Sequence, residues 1–133
     1  MKYLLDTYYM LWSILDTKRI PGKLKNTLTD PKNLVIVSAI SFWEVSLKNS
    51  LGKLELQNVS PQDLPGICEE MSFLIEPLHA SVCSSYHQLK ATWHKDPFDR
   101  MLIWTAITNN YTLITVDENV MKYKSEGLKV YTG

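Results

Sequence analysis

Apolar residues of the chain fall into short runs at 3–5, 34–37, 73–75, 113–116 and 128–131, each of strand length and rich in Leu, Ile, Val or aromatic residues. Between them lie longer stretches whose apolar positions recur at helical spacing: 7–15, 23–29, 41–51, 61–71, 80–92, 97–109 and 118–124. Strand and helix thus alternate along the chain. That order predicts an α/β fold with a central, mainly parallel sheet, because parallel neighbours need a crossover that a helix supplies. Local punctuation agrees. Gly52 falls where the third helix needs a left-handed residue, Pro97 opens the sixth at its first turn, and Asp30-Pro31 breaks the second before a strand.

The 133 residues suit one core, so residues 1–133 are expected to form a single domain, and 45% hydrophobic with 21% charged residues is the balance of a soluble globular protein. Fourteen Lys and Arg against fourteen Asp and Glu leave no global field to draw the chain onto nucleic acid or an anionic membrane. Any RNA binding must come from local patches. The apolar opening superficially resembles a signal peptide, but Asp6 interrupts it and no small-residue cleavage site follows. The longest uncharged run, 101–116, is broken by Asn109 and Asn110 and is short for a membrane span, so a cytoplasmic protein without a membrane partner is expected. Cys68 and Cys83 lack C-x-x-C spacing, and His79, His87 and His94 are too far apart for the two-ligand face of a zinc helix. No glycine-rich phosphate loop is present, so chemistry must be done by side chains.

Four carboxylates occupy comparable places. Asp6 ends the first strand run, Glu44 lies in the first turn of the helix after 34–37, Asp99 opens a helix, and Asp117 ends the run 113–116. In an open parallel sheet, ligands bind beyond the carboxyl ends of the strands, where the chain order reverses. Each acid alone reads equally as a helix cap: Ser41-x-x-Glu44 spells a capping box, and Asp96-Pro97-Phe98-Asp99 reads as N-cap, first-turn proline and first-turn acid. Gathered at about 4 Å, however, two carboxylates repel by on the order of 4 kcal/mol at an effective dielectric of 20, more than a cap contributes. A divalent cation offsets that repulsion, and hard oxygen donors match Mg²⁺ or Mn²⁺.

The segment Leu5-Asp6-Thr7-Tyr8-Tyr9-Met10-Leu11-Trp12 resembles the opening of VapC-like PIN domains. So do Ser38-Ala39-Ile40-Ser41-Phe42-Trp43-Glu44 running to Leu51-Gly52-Lys53-Leu54, His94-Lys95-Asp96-Pro97-Phe98-Asp99-Arg100, and Leu113-Ile114-Thr115-Val116-Asp117, in the right order across nearly the whole chain. The resemblance implies a three-layer α/β/α fold. It also implies metal-dependent cleavage of single-stranded or structured RNA to 5′-phosphate and 3′-hydroxyl ends, as the toxin of a toxin–antitoxin pair. By position, Asp6, Glu44 and Asp99 match the family's acidic core and Asp117 its more variable fourth acid. Many relatives carry His directly after Asp-Thr, where this chain has Tyr8, which bears on substrate choice or proton transfer.

On this reading, one or two Mg²⁺ or Mn²⁺ ions neutralise a scissile phosphate and acidify the attacking water. Thr7 and Thr115 stand beside Asp6 and Asp117 to orient carboxylates, or else satisfy strand-end backbone groups. Asp96 is expected mainly as a helix cap. Arg100 and Lys95 either hold RNA phosphate or form a solvated, acid-paired face, and Lys48 is placed to pair with Glu44 one helical turn back. The tryptophans Trp12, Trp43, Trp93 and Trp104 are expected in packing rather than base stacking. An exposed apolar helix face would fit a homodimer and a cognate antitoxin. The competing readings are a non-catalytic PIN-fold RNA-binding or scaffold domain, and a receiver-type phosphoaspartate domain. The latter would need adjacent acids early in the chain, and Asp6 stands alone.

Overall fold

A computed structural model describes residues 1–132. Five strands, β1 (Lys2–Leu5), β2 (Leu34–Ser38), β3 (Leu74–Glu76), β4 (Thr112–Ile114) and β5 (Lys129–Val130), form one sheet in the order β3-β2-β1-β4-β5. All four pairings are parallel, with Tyr3 opposite Val35 on one side of β1 and opposite Thr112 on the other. The chain therefore fills one side of β1 first, then crosses over it to lay down β4 and β5. The switch falls between β1 and β4.

Two apolar layers cover the faces, and the strands divide their side chains between them with period two. Tyr3, Leu5, Val35 and Val37 point into one layer with residues of helices α1 (Thr7–Leu15), α2 (Gly22–Thr29) and α4 (Leu64–Glu70). Leu4, Ile36 and Leu113 point into the other, against α5 (Ala80–Ser85) and α6 (Pro97–Asn109). Helix α3 (Ala39–Ser50) serves both, giving Ile40 to the second layer and Val45 to the first. The expected three-layer α/β/α arrangement is the one observed.

Helix ends explain several boundaries. Gly52, at φ +71°, closes α3 by a Schellman motif, its N–H reaching Asn49 O at 3.1 Å and that of Lys53 reaching Lys48 O at 2.9 Å. Ser72 and Asn110 adopt the same left-handed conformation after α4 and α6.

Some expectations need correction. Helix α3 begins at Ala39 with Ser38 as N-cap, so Glu44 lies in its second turn, and Ser41 faces a buried hydroxyl instead of forming a capping box. Strand β4 stops at Ile114, two residues earlier than its apolar run suggested, and β3 is shifted by one to Leu74–Glu76. The helix expected over 80–92 ends at Ser85 and passes through a 3₁₀ turn, Tyr86–Gln88, into an irregular strap. Arg100 anchors that strap, donating to Leu89 O and Ala91 O at 2.7 Å and to His94 O at 3.2 Å. Helix α7 is a single turn, Glu118–Met121, continued as 3₁₀ over Lys122–Glu126.

Candidate metal centre

The expected acids all project from the carboxyl edge of the sheet. Asp6 follows β1 directly, its N–H donating to Ile114 O at 3.1 Å, and its carboxylate caps α1 by accepting from the Tyr9 N–H at 2.8 Å. Asp117 lies three residues beyond β4 and caps α7, with Oδ1 accepting from Asn119 N–H at 2.8 Å. Asp99 is the third residue of α6, while Asp96 caps that helix through the Phe98 N–H at 2.8 Å, the structural task expected of it. Glu44 projects from α3 and is almost wholly buried.

Hydroxyls fix two of these carboxylates. Thr7 donates to Glu44 Oε1 at 2.6 Å and lies 3.0 Å from Ser41 Oγ, and the other Glu44 oxygen pairs with Lys48. The Thr115 hydroxyl hydrogen-bonds Asp6 and accepts from the Asp117 N–H at 3.1 Å. A buried carboxylate bonded in this way is held in one orientation.

The acids also act on one another. Burial pushes the Asp6 carboxyl up to about 7, against the downward pull of the Tyr9 N–H and Thr115 hydroxyl, and the charges of Asp99 and Glu44 add to the rise. Asp99 is raised to about 6 by burial and then by Asp96, with Glu44 and Asp117 contributing in the same direction and His94 opposing. Burial pulls Lys48 down, yet its hydrogen bond and charge attraction to Glu44 outweigh that and hold it above its ordinary value. Four segments thus bring Asp6, Glu44, Asp99 and Asp117 within electrostatic reach at the β1/β4 switch. The geometry also sets a limit. Among the described residues, the donors lying within 4.8 Å of one another are those of His94, Asp99 and Asp117, while Asp6 and Glu44 stand outside this group and interact with Asp99 through charge. A mostly oxygen donor set in which carboxylates resist ionising because of burial and, secondarily, of each other is one whose charge a divalent cation would stabilise.

His94 was not singled out as a site residue from sequence. Its Nε2 lies 2.9 Å from Asp117 Oδ2 and 3.1 Å from Asp99 Oδ2. Spacing tests for helical ligand pairs overlook a histidine on an irregular strap, and its closeness to the Asp96–Asp99 segment was the one available signal. Arg100 needs a different reading from the RNA contact considered for it. It is buried, its Nε donates to Tyr86 OH at 2.6 Å, its remaining bonds go to strap carbonyls and Tyr123 OH, and its guanidinium lies over the Tyr86 ring. Trp43 and Trp93 also depart from expectation, for they are 59% and 43% exposed, whereas Trp104 is buried and Trp12 partly so. Cys68 is buried, its thiol pushed up to about 11 by desolvation, and Cys83 is exposed. Among the described residues no helix is long and apolar enough to cross a membrane.

Comparison with known proteins accords with this architecture. No curated protein matches the sequence. The fold is similar to solved structures of VapBC2 from Rickettsia felis bound to a promoter DNA fragment (TM-score 0.65, 18% identity, 98% of each chain covered) and VapBC-1 from nontypeable Haemophilus influenzae (0.67, 19%, 98% and 97%). It is also similar to that of FitAcB from Neisseria gonorrhoeae (0.61, 21%, 98% and 96%). The PIN domain family matches residues 3–125, nearly the whole length, and the chain belongs to that family.

Proposed function

We propose that this PIN domain is an endoribonuclease dependent on Mg²⁺ or Mn²⁺ and the toxin of a toxin–antitoxin pair. The observation that carries the reading is the gathering of acids from four separate segments at the β1/β4 switch, where burial first and neighbouring carboxylates second raise Asp6 to about 7 and Asp99 to about 6. A divalent cation held by Asp6, Glu44, Asp99 and Asp117 would supply charge to neutralise a phosphodiester and to acidify an attacking water. The chain's own residues do the positioning. Thr7 aims Glu44, Thr115 joins Asp6 to the backbone of Asp117, and the caps of α1 and α7 hold one oxygen each of Asp6 and Asp117. Lys48 lies over the Tyr8 ring at 5.6 Å beside Glu44, a cation at the site's rim suited to a phosphate.

The exposed apolar residues Tyr8, Trp43, Trp93 and Val116 each stand one or two positions from Asp6, Glu44, His94 or Asp117. Unstacked bases of RNA would find ring faces at Tyr8, Trp43 and Trp93. The VapBC and FitAcB structures similar to this chain are of two-component assemblies, which supports a cognate antitoxin as partner; a homodimer is part of the proposal on the exposed apolar residues alone. One observation favours the second reading, a non-catalytic RNA-binding or scaffold domain: both Glu44 oxygens are already engaged, by Thr7 and Lys48.

Incubation of the purified chain with total bacterial RNA and Mn²⁺ or Mg²⁺, mapping new 5′-phosphate ends beside EDTA and Asp6→Asn controls, separates the two. Discrete cuts lost in both controls are expected. RNA binding without cuts and without metal-induced stabilisation would establish the non-catalytic reading.

A further inference from the structure

We propose that His94 is a positioning residue of this centre, its Nε2–H tying Asp99 to Asp117 and so setting the spacing of the two carboxylates. The proposal rests on the metal-centre reading and adds to it a residue outside the acidic set. Contacts at three parts of the residue support it. The ring's outer nitrogen lies 2.9 Å from Asp117 Oδ2 and 3.1 Å from Asp99 Oδ2, so one N–H is shared between two carboxylates from different elements. The inner nitrogen, Nδ1, accepts the Asp96 N–H at 3.2 Å, and an acceptor at Nδ1 puts the ring proton on Nε2. The main chain of His94 is held on both sides: its N–H donates to Tyr123 OH at 3.2 Å and its carbonyl accepts from Arg100 Nη1 at 3.2 Å.

Those anchors are themselves rigid. Tyr123 is fully buried and its hydroxyl donates to Ala91 O at 2.8 Å, and Arg100 fixes Leu89 and Ala91 as well as His94. An exposed ion pair formed by chance would need no such support. The irregular strap after α5 therefore delivers one ring to the acids, and Arg100, the residue following Asp99, holds the strap in place. Direct ligation through Nε2 would require the ring to surrender its Nδ1 contact and relocate its proton. The arrangement instead suits a donor that orients ligating carboxylates from behind.

Two measurements on the full chain test this. In metal-free protein, long-range ¹⁵N–¹H spectra of the imidazole are expected to show the Nε2–H tautomer of His94, and an Nδ1–H tautomer would overturn the proposal. In calorimetric Mn²⁺ titrations, His94→Gln, whose amide nitrogen reaches the Nε2 position, is expected to bind within about three-fold of wild type, and His94→Ala roughly 10–100-fold more weakly. Urea denaturation confirms that each variant is folded. Unchanged affinity in His94→Ala overturns the positioning role alone, and equal losses in both variants would assign the ring as a direct ligand instead. Wild-type protein that binds no Mn²⁺ would overturn the metal-centre reading itself and this proposal with it.

Discussion

Replacing Asp6 by Asn should stabilise the metal-free protein while abolishing the proposed RNA cleavage. In the fold, burial holds the Asp6 carboxyl at about 7 against an ordinary 3.8. A raised acid contributes its stability below the unfolded value and loses it as pH climbs through the folded one, so the loss spans about pH 4 to 7. The difference, 7 − 3.8, is about 3 pH units, or roughly 4 kcal/mol of destabilisation fully expressed at pH 8. Asn retains an oxygen for the Tyr9 N–H that caps α1 and carries no charge toward Asp99 and Glu44. Burying its amide offsets part of the gain. The Asp6→Asn chain in EDTA at pH 8 is therefore expected to be more stable than wild type by roughly 2–4 kcal/mol, a rise of about 3–5 °C per kcal/mol in melting temperature. At pH 4.5 only about 1 kcal/mol of that wild-type destabilisation remains, so the difference between the two proteins is expected to shrink by about 3 kcal/mol. Mn²⁺ at a hundred times its dissociation constant would return about 2.7 kcal/mol to wild type alone, narrowing or reversing the order. Calorimetric melts or urea titrations at the two pH values, with and without Mn²⁺, measure all four quantities. A variant less stable than wild type at pH 8 in EDTA, or a difference that does not change with pH, would refute the reasoning.

Three further outcomes are expected. Arg100→Lys, which keeps the charge but loses the fork, should cost about 2–4 kcal/mol in urea denaturation and open the strap at 89–96 to limited proteolysis, because the carbonyls it holds are left short of donors. Trp43→Ala should leave Mn²⁺ affinity unchanged and weaken RNA binding by an amount equivalent to about 1–3 kcal/mol in a filter assay, since this exposed ring meets only the edge of Phe98 at 5.3 Å among aromatic neighbours. Gly52→Ala should cost about 1–2 kcal/mol through its φ of +71° alone, since a Cβ there meets nothing within 4 Å, whereas Ser72→Gly should raise the melting temperature by relieving the same strain.

Much of this was written in the chain at the level of period and punctuation. Tyr3 and Leu5 against Leu4, and Val35 and Val37 against Ile36, announce strands whose two faces are both covered. The acids were legible because each stands near the end of an element, where a parallel sheet gathers its ligands. Other features had no local signature. Leu89 keeps helical spacing with Val82 and packs inward as a helix would require, yet it reaches the core from a strap whose backbone is bonded to Arg100. A positive charge following Asp99 reads in sequence as an ion pair or a phosphate contact, and only the fold reveals a guanidinium enclosed by carbonyls. His94 lies on that same strap, so no periodicity marks the direction of its ring.

The position of β1 at the middle of the sheet has a consequence for how the protein is made. β1 can pair on one side once β2 exists, but its other edge stays open until β4 has been translated. More than a hundred residues separate Asp6 from Asp117, so at ~5–20 residues per second the pocket closes roughly 5–20 s after its first acid leaves the peptidyl transferase centre. Through that interval a growing chain would hold Asp6 and Glu44 without Asp99, His94 or Asp117. If the centre cuts RNA as proposed, the ribosome making it would face no complete acid cluster until the segment carrying Asp117 has been added.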